Sequence, residues 1–174
     1  MAFKVNEDQM NMINPKVQEI LKNSPAFNPP AGLKSKYGDL PNLGPYRYNN
    51  NNLTYKGQYK DGFRHGLGRI IWADGSVYDG YFNEDECHEN GRLIHANGAC
   101  YTGEWTRGKA HGQGFLSDPD GVTFDGNWYN DLREGRGKEV FPDGAIYEGD
   151  YHRGMKTGKG KFQWSDGSVY NGEF

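Results

Sequence analysis

Residues 147–167 read Tyr147-Glu148-Gly149-Asp150-Tyr151-His152-Arg153-Gly154-Met155-Lys156-Thr157-Gly158-Lys159-Gly160-Lys161-Phe162-Gln163-Trp164-Ser165-Asp166-Gly167. Tyr147, Gly149 and Tyr151 alternate with polar residues, so all three face one side of a strand. Asp166-Gly167 is a short hairpin signal, because glycine accepts positive φ without steric cost. Shifting this stretch by 23 residues reproduces it along most of the chain. Tyr55, Tyr78, Tyr101, Phe124, Tyr147 and Tyr170 form the first aromatic column. Two residues on stand Gly57, Gly80, Gly103, Gly126, Gly149 and Gly172, and two further Tyr59, Phe82, Trp105, Trp128, Tyr151 and Phe174. A second glycine column runs Gly68, Gly91, Gly114, Gly137, Gly160, and each unit closes on Asp-Gly or Asn-Gly. No insertion interrupts the period from Tyr55 to Phe174, so the repeat governs the fold.

Loop parity decides which side chains meet. A three-residue loop such as Ala73-Asp74-Gly75 puts Gly68, Ile70 and Trp72 on the face of Tyr78, Gly80 and Phe82. A two-residue loop would place them on opposite faces. The odd loop gathers the aromatics on one side, where the strand glycines leave slots for neighbouring rings. The Gly-x-x-x-Gly segments (Gly62 to Gly66, Gly108 to Gly112, Gly154 to Gly158) make the other connection. In the repeat at Tyr78, Asp85 and Glu89 stand where loop glycines are usual, within the acidic run 83–90. That loop is expected to have its own conformation.

The blocks at Tyr55, Tyr101, Phe124 and above all Tyr147, with Gly158-Lys159-Gly160 and Asp166-Gly167, resemble the MORN repeat. The likeness spans five and a half repeats over residues 55–174. It implies an all-β protein, an elongated single-layer antiparallel sheet of stacked hairpins. It also implies frequent self-association and use in cytoskeletal and ciliary structures, at membrane contacts, and as regulatory modules beside enzymes. Five and a half hairpins at roughly 9–10 Å each make a ribbon on the order of 50 Å long.

Both ends of such a ribbon are sheet edges. Tyr170 and Phe174 lie on a strand without Pro or Lys, a candidate self-association edge. Upstream, residues 46–54 admit two readings: a degenerate capping half-repeat around Tyr46-Arg47-Tyr48 with Pro45 blocking further pairing, or a polar linker through Asn49–Asn52. Asn14-Pro15 is a helix-start signature, giving a short helix about 15–23 with Val17, Ile20 and Leu21 on one face. Residues 24–45 contain five prolines and are expected to run extended. Phe27, Leu33 and Tyr37 are apolar anchors a spacer would not need. Residues 1–45 are therefore expected to form an anchoring arm, packing on the sheet or on another protein.

Composition excludes several functions. The 174 residues carry 20 basic and 23 acidic side chains, 26 glycines and two cysteines, Cys87 and Cys100, outside any metal-like spacing. Residues 55–174 hold 14 basic against 19 acidic groups, a net of -5, which opposes nucleic-acid binding and disfavours anionic lipid. No signal peptide or membrane span is evident, and a soluble cytoplasmic protein is expected. His65, His88 and His111 share one column, but repeats hold them roughly 9–10 Å apart, too far for one metal ion. The turn aspartates are explained by side-chain-to-backbone bonding. The glycine-rich fragments lack the spacing and helix of a phosphate loop. No catalytic residues, metal or cofactor are called for.

The expectation is a non-catalytic structural or adaptor protein in a cytoskeletal or ciliary (axonemal) assembly, the location coming from the resemblance alone. Exposed rings among Tyr78, Phe82, Tyr101, Trp105, Phe124, Trp128, Tyr147 and Tyr151 are the candidate partner-binding residues, since aromatics are common hot spots. The same rings also serve to hold the ribbon together. The alternatives are a phospholipid-contacting tether and a regulatory subunit for an enzyme on another chain.

Overall fold

The computed structural model describes residues 10–48 and 53–174. Two short helices, α1 (Pro15–Asn23) and α2 (Ala31–Tyr37), precede twelve strands that form one antiparallel sheet in sequence order. The strands are β1 (Asn42–Tyr48), β2 (Leu53–Lys60), β3 (Phe63–Ile71), β4 (Val77–Asn83), β5 (Glu86–Ile94), β6 (Cys100–Thr106), β7 (Lys109–Ser117), β8 (Thr123–Tyr129), β9 (Leu132–Val140), β10 (Ile146–His152), β11 (Met155–Gln163) and β12 (Val169–Glu173). The all-β, stacked-hairpin expectation is borne out.

Two kinds of turn alternate. After β3, Trp72 N donates to Ser76 O (3.0 Å), enclosing the odd loop Ala73-Asp74-Gly75, with Gly75 at φ 83°. The register accordingly pairs Ile70 with Tyr78 and Gly68 with Gly80 on one face. The other turn has two residues, both left-handed, as type I′ requires: Asp61 and Gly62 lie at 51° and 86°. Each later repeat copies it, and a bulge residue of positive φ follows: a glycine, as at Gly66, in every repeat except that of Glu89.

The acidic loop is a correction to expectation. Glu84, Asp85 and Glu89 adopt the same positive φ (48°, 71°, 58°) as their counterparts in other repeats. Neighbouring turns hold it there: Asp85 N donates to Arg64 O (3.0 Å), and Asp85 Oδ1 accepts from Arg64 N (2.8 Å). Asp131 forms the same reciprocal pair with Ala110 two repeats later. A short polar side chain offsets left-handed strain by bonding backbone locally.

The ring face is a continuous zig-zag. From Tyr55–Tyr59 to Tyr170–Phe174, each first-column ring meets a second-column ring of its own repeat and, as far as Tyr147, of the next. Centroids lie 4.9–5.3 Å apart at 78–90°. Edge-to-face pairs contribute about 0.5–1.5 kcal/mol each beyond burial. The first-column rings lie flat over glycine, and their hydroxyls donate to the carbonyl three residues on: Tyr55 to Gln58 (2.8 Å), Tyr101 to Glu104 (3.0 Å), Tyr147 to Asp150 (3.0 Å). A Cβ on Gly80 or Gly91 would enter the Tyr78 ring.

The other side of the sheet, the arm face, receives α1. Asn14 caps the helix, its Oδ1 accepting from Lys16 N (3.0 Å), and its own N–H donates to Gly75 O (3.1 Å). Val17 and Ile13 are buried on Ile71, Val77 and Ile94, with Ile20 and Leu21 alongside. The expected extended run from 24 to 45 is corrected by α2, while its last residues, from Asn42, are extended in β1. Proline restricts the residue before it more than those after it, and Pro30, with φ −53°, pre-sets the entry to a good helix-forming segment. Pro45, expected to block pairing, lies inside β1 at a break in register between Leu43 and Tyr46, after a cis Gly44–Pro45 bond. Tyr46, Arg47 and Tyr48 pair with Tyr55, Thr54 and Leu53. Residues 49–52 and residues 1–9 of the arm lie outside the described residues.

Candidate interaction surfaces

The eight rings expected to dock a partner are all buried, none more than 8% exposed. Their expected exposure is therefore corrected. A single layer leaves both faces open only if side chains stand up from it; here the rings lie down and cover one another. Polar and charged groups close the rim. Trp105 Nε1 donates to Gly91 O (3.2 Å) and Trp128 Nε1 to Gly114 O (3.1 Å). Arg64 lies over Tyr55 and Phe82, Arg133 over Phe124, and Lys156 over Tyr147 and Tyr151.

Glu139 stands in the column that elsewhere holds Ile70, Leu93, Leu116 and Phe162. It is 4% exposed and pairs with Arg133 and Lys156, and Tyr151 Oη donates to its Oε2 (3.3 Å). Burial pushes its carboxyl up, but the bond from Lys156 and the charges of Arg133 and Lys156 outweigh that and hold it below the ordinary range. Burial pushes the Cys87 thiol to about 12, so it is no nucleophile at neutral pH.

The arm anchors fall into two groups. Val17, Ile20 and Leu21 sit on the arm face, as above. Tyr37 is buried with its ring 5.1 Å from Tyr81 and 5.5 Å from His65, and Lys36 Nζ meets Glu89 at 2.5 Å. The acidic loop thus holds α2. Leu33 and Phe27 are half-buried. Phe27 helps line a cleft of about 660 Å³ between α1 and the sheet, floored by Arg69, Asp79 and Arg92. These three ionised groups sit in the middle row of the arm face; sequence reasoning passed over them because alternation alone does not say which face a later segment will cover.

Beyond β5 the arm stops. The same middle row continues as Thr102, Phe115, Asp125, Lys138, Glu148, Lys161 and Asn171, all exposed, with Phe115 the large apolar side chain among them at 44%. Asp125 stands opposite Lys138, Lys138 opposite Glu148, and Glu148 opposite Lys161. At the far edge Tyr170 and Phe174 are 43% and 41% exposed, and β12 pairs only with β11. No described helix is long and apolar enough to cross a membrane. No three His, Cys, Asp or Glu side chains among the described residues converge on a metal position.

The family model described as MORN repeat matches five consecutive segments, residues 55–77, 78–100, 101–123, 124–146 and 147–169. No curated protein matches the chain. Similar solved structures include the TCP domain of Drosophila melanogaster SAS-4 (dCPAP) in complex with a proline-rich motif of Ana2 (dSTIL), at 16% identity and TM-score 0.47. That match covers 86% of this chain and 85% of that one. The TCP10 domain of Danio rerio CPAP in complex with a STIL peptide matches at 14% identity and TM-score 0.39, over 74% and 60% of the two chains.

Proposed function

Because the chain belongs to the MORN-repeat family, we propose that it is a non-catalytic adaptor, binding protein partners within a cytoskeletal or ciliary (axonemal) assembly. The observation that carries this reading is the uncovered half of the arm face. On β3–β5 that face is occupied by the chain's own helix α1, which supports its use as a seat for another segment. On β6–β12 it offers Phe115 amid alternating charge on a continuous sheet, a surface able to take an amphipathic partner segment. Aromatic anchors surrounded by polar groups are the usual anatomy of a binding patch. The buried rings and the elevated Cys87 thiol fit a non-catalytic reading.

The test uses Phe115→Glu and Lys138→Glu, alone and combined, in source cells extracted with mild detergent. Wild-type protein is expected in the insoluble cytoskeletal fraction and the double variant in the soluble one, with unchanged thermal stability. Release of the wild type together with solubilised membrane would replace the adaptor by a lipid tether.

A further inference from the structure

The seat of α1 recurs three repeats along the sheet, uncovered. Under the helix an apolar row crosses β3–β6 as Ile71, Val77, Ile94 and Cys100, each opposite the next. The same row in β9–β12 reads Val140, Ile146, Gln163 and Val169, again each opposite the next. The neighbouring row carries Arg69, Asp79 and Arg92 in the first case and Lys138, Glu148 and Lys161 in the second, so the order of charge is kept. A shift of one repeat gives Arg92, Thr102 and Phe115 there, and a shift of two gives Phe115, Asp125 and Lys138. Only the three-repeat shift restores both rows.

The loop that receives the helix is duplicated as well. Gly75 O accepts from the N–H of the cap residue Asn14, and a Cβ on Gly75 would strike Asn14. Gly144, at φ 88° against 83°, closes the equivalent loop with the same bonds, and no described residue lies within 4 Å of the Cβ it would carry. Val140 and Ile146 are half-buried, and Val169 is 45% exposed. A depression of about 480 Å³ adjoins them, lined by Glu148, Lys161 and Asn171 together with Arg136 and Lys159.

We propose that β9–β12 is a second helix seat, taken by a short amphipathic helix of a partner protein built like α1. That helix places an Asn, Asp or Ser cap over Gly144 O and apolar residues, spaced as Ile13, Val17 and Leu21 are, on Val140, Ile146 and Val169. Lys138 and Lys161 flank the one Glu148 of their row, which favours a carboxylate on the incoming helix where α1 has Glu19. Exchange of arms between two copies would empty one seat for each one filled and gain nothing. The seats lie six strands apart, roughly 28 Å, and a nine-residue helix is roughly 14 Å long, so one helix does not serve both. That a partner supplies the helix rests on the adaptor reading; the likeness of the two seats does not.

The probe is a synthetic peptide of residues 10–25, added to the ¹⁵N-labelled full chain. The tethered α1 holds its own seat at a local concentration on the order of millimolar, so peptide below that level meets the second seat alone. A saturable shift is expected at the amides of Val140, Gly144, Ile146 and Val169, and none at Ile71 and Val77. Peptide carrying Val17→Asp, or a chain carrying Val169→Glu at its exposed side chain, should bind at least tenfold more weakly, and peptide carrying Glu19→Lys several-fold. No saturable shift, shifts confined to the first seat, or equal binding of the Val17→Asp peptide overturns the proposal. The same amides shifting as the chain is concentrated without peptide, and no longer doing so in a Val17→Asp chain, would also overturn it, assigning the seat to the arm of a second copy. Peptide binding by a chain that mild detergent extracts into the soluble fraction would leave the seat in place and count against the adaptor reading alone.

Discussion

Phe124 lacks the hydroxyl that Tyr55, Tyr78, Tyr101, Tyr147 and Tyr170 each donate to the carbonyl three residues on. Its ring occupies the same place over Gly126 and Gly137. Phe124→Tyr is therefore expected to raise stability by about 1 kcal/mol, the net worth of one hydrogen bond, in chemical denaturation. Gly91→Ala should act in the other direction, costing about 2–3 kcal/mol, because the new methyl enters the Tyr78 ring. A loss as small as that of an exposed-turn substitution would show that the rings can lift off the backbone. Glu139 gives a pH prediction. Its folded carboxyl titrates below the ordinary 4.5, so its stabilisation is complete above that pH and drains away as the pH falls further. Glu139→Gln should flatten that acid limb of the stability profile. At this scale the 23-residue period made every aromatic and glycine column legible. The strand glycines also announced slots in which rings lie flat, but not that the rings so placed bury one another: that follows from the hydroxyl-to-carbonyl bonds and the edge-to-face contacts of adjacent repeats, which depend on three-dimensional spacing rather than on alternation.

Among the elements, α1 was readable from Asn14-Pro15 and three apolar residues on one face, and it spans Pro15–Asn23. What the sequence left open was its seat. The helix sits on Ile71, Val77 and Ile94, but the equivalent positions, polar at Ser117 and Thr123, turn apolar again at Val140, Ile146 and Val169, so the sequence alone does not single out the seat. Val17→Asp buries a charge at that seat and is expected to cost about 3 kcal/mol or to release the arm. Limited proteolysis near residue 24 would report the release, and an unchanged cleavage rate would refute the docking. Asp79→Asn leaves two buried guanidinium groups facing each other and should cost a similar amount. The second helix was missed because a proline-rich run reads as extended. The dense prolines constrain the residues before them, and Ala31–Tyr37 contains none.

The described sheet is one layer, and its first and last strands differ. β1 carries a proline and a register break, which blunt pairing. β12 is regular and exposes Tyr170 and Phe174. Light scattering at tens of micromolar is expected to show mass rising with concentration, and Asn171→Pro is expected to return it to the monomer value. A monomeric wild type would remove this edge from consideration. Strand order equal to sequence order means each repeat touches only its neighbours, the arm excepted, so stability accumulates repeat by repeat. It also sets how the protein meets mechanical load. The strands lie across the long axis, and the ladder hydrogen bonds lie nearly along it. Tension between the two ends thus opens the ladder one strand at a time instead of shearing many bonds together. Such a sheet yields gradually from β12, while α1 fastens β3–β5 as a stop, so under load the chain would lengthen hairpin by hairpin before its arm-clamped end gives way.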